Sequence, residues 1–292
     1  MNLIEFTSGN RFSYSVFNKI LNFFYNYNDK FFKKFKDYGY NVVKLKNLET
    51  LKLINNEISL QKSQNEGGVI KYDINNNLIF LLDRLISEQK FVIDKLKEYF
   101  FCPVVVSNIT LKRTKFINKA ENKNKYKNIY SENYHVDKYI NTHIKQFIYL
   151  SDVDKNCGPF IYIDKKDTKK FIKKYGFKNR FSLDVLQGEK LINREFEKIY
   201  TGKMGSSLIV NTTECLHRAG IPVKGNFRDI ITITYVAAPS VKYKNEKYFL
   251  NNLKSNFFSN KNNISKKLAK LNQKKDLIIF FFKYLKLKIF KY

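Results

Sequence analysis

The chain has 292 residues, and with 43% hydrophobic and 16% aromatic residues it can bury a sizeable core, which excludes an intrinsically disordered protein. Lysine and arginine number 54 against 26 aspartate and glutamate residues, a formal net charge of +28. Only seven of the basic residues are arginine, the side chain that contacts bases and phosphates through a bidentate fork. The charge predicts attraction for anionic molecules. Nucleic acid is the weaker alternative, since an AT-rich coding sequence also yields many lysines.

Cysteine usage and the opening residues indicate a reduced compartment. Cys102, Cys157 and Cys215 are widely spaced and form no CxxC pair, so the sequence predicts neither a disulfide framework nor a zinc finger. The opening segment, MNLIEFTSGNRF, lacks the basic region and the cleavage site of a signal peptide. No apolar run reaches the length of a membrane span. We therefore expect a cytoplasmic protein.

In chain order, the predicted elements are helices, then strands, then helices. Apolar residues recur at helical intervals in 16–27, 48–59 and 77–100, and a glycine turn in 37–47 predicts one short strand. The period then becomes two, with many β-branched residues, and predicts further strands in 103–114, 144–153, 160–163, 206–211 and 228–236. We therefore expect a mainly β core with helical additions, an α+β arrangement, within a single domain of residues 1–292.

Three polar or basic segments accompany this core. Residues 115–134 are rich in asparagine and lysine and predict a loop, which we expect to act as a lid. Residues 164–200 predict a lysine-rich, partly helical insertion, and 241–292 predict a basic helical C-terminal extension. Within that extension, the amphipathic pattern of 277–292 favours packing against the core or a second copy, with peripheral contact to an anionic membrane as the alternative.

The stretch ENYHVDKYINTH carries two of the three histidines in the chain. His135 and Asp137 are two positions apart, so in an extended chain their side chains lie on the same side. The third histidine, His217, follows 82 positions after His135, between two predicted strands. Two imidazoles and one carboxylate on one face of a metal ion leave its other positions open, as in non-haem Fe(II) oxygenases. The spacing of two is common by chance, so the surroundings of His217 carry the argument.

Arg228 lies 11 positions after His217 and opens the last predicted strand, on the face shared by Ile230, Thr232 and Thr234. An arginine inside a barrel is costly unless an anion meets it, and a carboxylate suits its bidentate fork. Pairing with a structural acid such as Asp229 or Glu214 is the alternative.

Four segments of the sequence resemble a known protein family: DYGYNVVKLKNL, YHVDKY, IKQFIYLSDVDKNCGPFIYI and GSSLIVNTTECLHRAGIPVKGNFRD. In them the chain resembles the phytanoyl-CoA dioxygenase-like family of Fe(II)/2-oxoglutarate oxygenases, over roughly residues 37–240. The resemblance implies a double-stranded β-helix, a jelly-roll barrel with iron at its mouth. It implies His135, Asp137 and His217 as Fe(II) ligands and Arg228 as the residue that binds the distal carboxylate of 2-oxoglutarate.

The same resemblance implies the reaction of a dioxygenase. O2 and 2-oxoglutarate are consumed, succinate and CO2 are released, and a C–H bond of a small molecule, anionic or carrier-linked, is hydroxylated. Related halogenases have glycine or alanine where Asp137 stands, so hydroxylation is favoured over halogenation. The segment IDKKDTKK departs from the family in a region that shapes the substrate pocket. The alternatives are an oxygenase that modifies nucleic acid or protein, and a jelly-roll protein that only binds ligands.

Other residues of the predicted strands face the same region. Lys145, Phe147 and Tyr149 alternate on one strand face and are expected to line the 2-oxoglutarate pocket, with ordinary core packing as the alternative. Asn108 and Lys112 on an earlier strand are weaker candidates for contacts with 2-oxoglutarate.

Three further residues lie close to the predicted ligands in sequence. His143 is expected to have a structural or substrate-facing role, since it lies outside the matched motif. Arg218 directly follows His217 and is expected to contact substrate or solvent. Cys215 is predicted to be a buried free thiol.

Overall fold

The computed structural model describes residues 30–45, 47–61, 68–100, 104–116, 118, 132–137, 143–175, 182–183 and 190–237. The predicted helix in 16–27, most of the predicted lid in 115–134 and the C-terminal extension 241–292 lie outside these residues. Within the described ranges, no helix is long and apolar enough to cross a membrane.

Five α-helices are described: α1 (Lys30–Tyr38), α2 (Glu49–Ser59), α3 (Asn76–Glu88), α4 (Lys90–Phe100) and α5 (Lys165–Tyr175). The segment predicted as one helix over 77–100 is two helices, α3 and α4, which meet at Gln89. The side chain of Asn75 caps the start of α3 by accepting a hydrogen bond from the backbone N–H of Leu78 at 2.9 Å. The buried stripes of α3 and α4 are apolar, which explains the helical period in the sequence.

The strands are β1 (Tyr40–Lys44), β2 (Val69–Lys71), β3 (Val104–Lys115), β4 (Tyr134–His135), β5 (His143–Tyr149), β6 (Phe160–Tyr162), β7 (Ser182–Leu183), β8 (Lys198–Tyr200), β9 (Ser206–Val210), β10 (His217–Ala219) and β11 (Phe227–Ala237). They form a large sheet in the order β1-β9-β5-β11-β3-β2 and a small sheet in the order β7-β4-β10-β6-β8. All pairs are antiparallel.

The two sheets face each other across a shared apolar cluster. The large sheet contributes Phe147, Tyr149 and Leu208 to this cluster, and the small sheet contributes Phe160 and Tyr162. Two antiparallel sheets packed in this way form the jelly-roll barrel that the sequence predicts.

The segment 164–200 was predicted as a partly helical insertion. It supplies α5 and also the strands β7 and β8, which form the two edges of the small sheet. These strands have two and three residues, too few for a period of two to appear in the sequence. Helix α5 covers the outer face of the small sheet, where Phe171 packs against a cluster formed by Tyr134, Ile163 and Leu216.

Candidate metal centre

The small sheet brings the HxD motif and the distant histidine together. β10 pairs with β4 so that His217 lies directly opposite His135. Asp137 follows β4, and its backbone N–H donates to the carbonyl oxygen of Thr212 at 2.8 Å. One ligand atom from each of His135, Asp137 and His217 lies within 4.8 Å of the others. The fold thus brings two histidines that are 82 positions apart in the sequence into one cluster.

Hydrogen bonds to the backbone orient both imidazoles. Nδ1 of His135 lies 2.7 Å from the carbonyl oxygen of Asn133, and Nδ1 of His217 lies 2.9 Å from that of Cys215. A carbonyl oxygen only accepts, so each Nδ1 carries a proton and each Nε2 retains its lone pair. Both Nε2 atoms lie 3.9 Å from Oδ1 of Asp137. Two nitrogen lone pairs and one carboxylate oxygen therefore share one small space.

The electrostatics of the cluster favour the protonation states that a metal ion requires. Burial lowers the pKa of the His217 imidazole, and this outweighs the opposite effect of Asp137. Burial alone would raise the pKa of Asp137, but the Lys145 ammonium and His217 hold it below its usual range. A neutral imidazole and an ionised carboxylate result, and both are ready to donate electron pairs.

The two oxygens of Asp137 have different neighbours. Oδ1 faces the two histidines, whereas Oδ2 lies 2.6 Å from Nζ of Lys145. Lys145 points into the barrel from β5, which pairs with β11 in the large sheet. One oxygen of the carboxylate is thus bound by an ammonium group, and the other remains directed at the imidazoles.

Arg228 is a buried guanidinium without a carboxylate partner among the described residues. It is 5% exposed, it donates to the carbonyl oxygen of Gly158, and its Nε has no hydrogen-bond partner in the described part of the chain. Burial lowers its pKa. The structural acids are bound elsewhere: Asp229 accepts two 2.8 Å hydrogen bonds from Arg113, and Lys165 lies 2.7 Å from Glu214.

Tight packing of two turns builds the wall beside Arg228. Gly158 has a φ of 68°, and a Cβ there would lie 2.6 Å from the backbone nitrogen of Pro222. A Cβ at Gly220 would lie 2.7 Å from the carbonyl oxygen of Pro159. The GPF and AGIP segments therefore fit against each other only with glycine at these positions, and this contact holds the Gly158 carbonyl towards Arg228.

The pairing of β5 with β11 places the predicted pocket residues between the triad and Arg228. Tyr149 lies opposite Ile230 and Phe147 lies opposite Thr232, in the interior cluster. The hydroxyl of Tyr149 donates to the carbonyl oxygen of Tyr200 at 2.6 Å, so its position is fixed by the protein. Phe147 and Tyr149 thus form an apolar wall that connects the two polar ends of the barrel.

Lys112 is a third cation of this interior. It lies opposite Ile230 on β3, and burial lowers its pKa, with further lowering from Lys71, Lys145 and Arg228. No carboxylate of the described residues forms an ion pair with it. The signal in the sequence is the alternation in SNITLKRT, which places asparagine, threonine, lysine and threonine on one face of β3.

The remaining predicted residues lie apart from the triad. His143 begins β5, is 1% exposed and does not belong to the cluster of ligand atoms. Arg218 points away from His217 to the other face of β10, where it lies over the Tyr134 ring and 3.8 Å from a carboxylate oxygen of Glu197. Substrate contacts by His143 and Arg218 stay predictions.

Cys215 is buried, as predicted, and burial raises the pKa of its thiol well above the usual range. Its backbone carbonyl, rather than its thiol, serves the triad through Nδ1 of His217. The thiol itself contacts the backbone carbonyls of Tyr38 and Gly39.

Comparison of the sequence with protein-family models and with curated proteins gave no match. Among solved structures, the chain is similar to HygX from Streptomyces hygroscopicus with nickel, 2-oxoglutarate and hygromycin B bound, with a TM-score of 0.50 and 13% identity over 72% of this chain and 88% of HygX. It is also similar to the epimerase SnoN in complex with Fe3+, alpha ketoglutarate and nogalamycin RO, with a TM-score of 0.51 and 12% identity over 75% of this chain and 88% of SnoN. These similarities confirm the predicted jelly-roll fold. The narrower phytanoyl-CoA dioxygenase-like assignment stays a prediction.

Proposed function

We propose that this protein is an Fe(II)/2-oxoglutarate-dependent dioxygenase that hydroxylates a C–H bond of a small molecule. The observation that carries the proposal is the convergence of His135, Asp137 and His217 in one barrel with Arg228, a buried guanidinium that has no carboxylate partner in the described part of the chain. A set of two imidazoles and one carboxylate suits Fe(II) and leaves positions for cosubstrate and O2. When bound, iron and 2-oxoglutarate supply the oxidising power, and succinate and CO2 are released.

The interior fits a dicarboxylate. In the proposal, Arg228 binds the distal carboxylate of 2-oxoglutarate through its guanidinium, and Lys112 adds a second positive charge near that end. Phe147 and Tyr149 flank the carbon chain between the carboxylates. A buried cation that lacks a carboxylate partner among the described residues is costly, so an anionic ligand that contacts it gains affinity from a charge already desolvated by the fold.

Lys145 has a separate role in this proposal. Because Lys145 forms an ion pair with Oδ2 of Asp137, Oδ1 would be the carboxylate oxygen available to a bound metal ion. The Phe160 ring packs 5.5 Å from the ring of His217, which is 4% exposed, so water is kept from this side of the cluster. Exclusion of water strengthens the electrostatic interactions of the site and protects reactive species from side reactions.

The choice of a small-molecule substrate is supported by the two fold neighbours, which bind hygromycin B and nogalamycin RO. The choice of hydroxylation rests on the resemblance to the phytanoyl-CoA dioxygenase-like family and on aspartate at position 137. One fold neighbour, SnoN, is an epimerase, so the two reactions need to be separated by experiment. A hydroxylated product is heavier than the substrate by one oxygen atom, whereas an epimer has an unchanged mass.

The proposal is tested by succinate formation from 2-oxoglutarate in air, with Fe(II) and pooled small metabolites. We expect the intact protein to form succinate and His217→Ala to form none, because the metal loses a buried imidazole ligand. Asp152→Ala is the surface control, since this exposed aspartate contacts Lys203 at the surface. Equal succinate formation by the intact protein and His217→Ala would contradict the proposal.

A further inference from the structure

Positive charge is distributed unevenly over the helices. α2, α3 and α4, which cover the large sheet, contain five basic and six acidic residues. α1 and α5, which pack against each other, contain ten lysines and two aspartates. A bias in coding composition acts on all helices alike, so it does not account for this difference. The excess of lysine in the described helices is a property of one side of the molecule.

Helix α5 presents five of these lysines as a single stripe. They lie at positions i, i+3, i+4, i+7 and i+8 and are all exposed: Lys166, Lys169, Lys170, Lys173 and Lys174. From first to last they span about 12 Å at 1.5 Å per residue. The opposite side of the helix buries Thr168 and packs Phe171 against the small sheet. One carboxylate of the helix, Asp167, lies 2.9 Å from Nζ of Lys170.

This arrangement is unfavourable for the isolated helix. Like charges at i,i+3 and i,i+4 destabilise a helix by about 0.2–0.5 kcal/mol a pair, and the stripe contains five such pairs. The helix is instead anchored by its other face, where Lys165 binds Glu214 and the side chain of Thr168 donates to the carbonyl of Ile163. A ligand that neutralises the stripe would remove this repulsion.

The composition of the stripe selects among anionic partners. Specific protein interfaces need aromatic or apolar anchors at their centre, and membrane-bound helices insert apolar side chains. The stripe has neither, and the exposed aromatic of α5, Tyr175, stands at the end of the helix. Lysine without arginine suits phosphates as point charges rather than base edges. From these observations we propose that α5 binds the phosphodiester backbone of nucleic acid without reading its sequence.

The test compares two variants of the full chain with equal change of charge, using a fluorescent DNA duplex at salt concentrations from about 50 to about 200 mM. The stripe variant carries Lys166→Gln, Lys169→Gln, Lys173→Gln and Lys174→Gln. The control variant changes four exposed lysines elsewhere: Lys44→Gln, Lys52→Gln, Lys90→Gln and Lys224→Gln. Thermal unfolding of both variants checks that the fold is retained.

Each phosphate contact contributes about 0.9 to the magnitude of the slope of log affinity against log salt concentration. For the stripe variant, which lacks four lysines, we expect the magnitude of this slope to be smaller by about three to four. The control variant should keep the slope of the intact protein within about one contact. A third variant, with arginine at the four positions changed in the stripe variant, should bind DNA like the intact protein. Equal losses in the stripe and control variants, or no binding by the intact protein at the lowest salt, would overturn the proposal. Stronger stripe-dependent binding to phosphatidylglycerol vesicles or polyglutamate than to DNA would also overturn it.

Discussion

The two faces of the large sheet are built from the same strands but satisfy their polar groups differently. The outer face packs apolar residues of β5 and β11 against α3 and α4. Its buried polar groups are paired within the protein: the Gln146 amide nitrogen donates to Gln89 and to Ser207, and its oxygen accepts from Tyr235. The inner face holds Arg228 without a carboxylate partner among the described residues.

This contrast separates stability from ligand binding. On the outer face, every atom of the Gln146 amide group finds a partner within the protein, which is how folded domains avoid the cost of buried polar groups. On the inner face, Lys112 and Arg228 have no carboxylate partner among the described residues, and in the proposed function the cost of burying these charges is offset when an anion binds. Substitutions on the two faces should therefore have different consequences.

The largest expected effect is on the outer face. Ile231 is fully buried against the helices, and Ile231→Ala should lower the free energy of unfolding by about 3 kcal/mol through lost transfer energy and a residual cavity. Chemical denaturation measures this change. Binding of 2-oxoglutarate per folded molecule should stay the same. A large loss of affinity at equal stability would contradict the separation of the two faces.

The next effect is on the inner face. Arg228→Met should weaken 2-oxoglutarate binding by about 100-fold, whereas the free energy of unfolding should stay constant or rise, because a buried charge with no carboxylate partner among the described residues is replaced by an apolar side chain. Calorimetric titration of the metal-loaded protein and denaturation measure the two quantities.

Arg113→Met is the matched control for Arg228→Met, since Arg113 lies on the opposite face of the same sheet and pairs with Asp229. It should lower stability, because it leaves the buried Asp229 carboxylate unpaired, and it should keep 2-oxoglutarate affinity. Loss of 2-oxoglutarate affinity in Arg113→Met, or loss of stability in Arg228→Met, would contradict the account.

A smaller effect tests the polar cluster of the outer face. Gln146→Ala removes the shared partner of Gln89 and Tyr235 and leaves buried polar groups unsatisfied, so we expect a loss of about 2 kcal/mol in the free energy of unfolding. Gln146→Leu fills the volume but leaves the same groups unpaired, and it should not restore stability. Full recovery with leucine would show that packing, rather than hydrogen bonding, makes the contribution.

The smallest effect is a pH dependence of the metal-free protein. Burial lowers the pKa of His217 in the folded state, so the unfolded chain binds more protons as the pH falls below about 6.5. Stability is then lost with decreasing pH, by at most about 1.4 kcal/mol per pH unit for this one group. Denaturation between pH 7 and pH 5 measures it. His217→Gln should flatten this part of the curve, and an unchanged slope would show that other groups are responsible.

The strands with a long alternating pattern could be predicted from the sequence, whereas most described strands of two or three residues could not; β6 is the exception. β3, β5, β9 and β11 each show β-branched or alternating residues over five or more positions. β4, β7 and β10 have two or three residues, and they form only because neighbouring strands supply their hydrogen bonds. The break at Gln89 was also missed, since the apolar spacing continues across it.

The convergence of His135, Asp137 and His217 and the burial of Arg228 could be predicted because these residues lie beside recognisable motifs. What the sequence did not predict is how charges are distributed among partners. Asp229 and Arg228 are adjacent in sequence, but the alternation of β11 sends one to Arg113 and the other into the barrel. The contact of Lys145 with Asp137 likewise depends on the packing of one sheet on the other.

The central claim is that His135, Asp137 and His217 bind Fe(II) and that Arg228 binds 2-oxoglutarate in the same barrel. The most direct test is an anaerobic titration with Fe(II) and then 2-oxoglutarate, which follows the weak visible charge-transfer band of the chelated cosubstrate. We predict the band in the intact protein and in His143→Gln, which changes the histidine outside the triad, and its loss in His217→Ala and Arg228→Ala. Absence of the band from the intact protein, or its persistence in His217→Ala, would contradict the account.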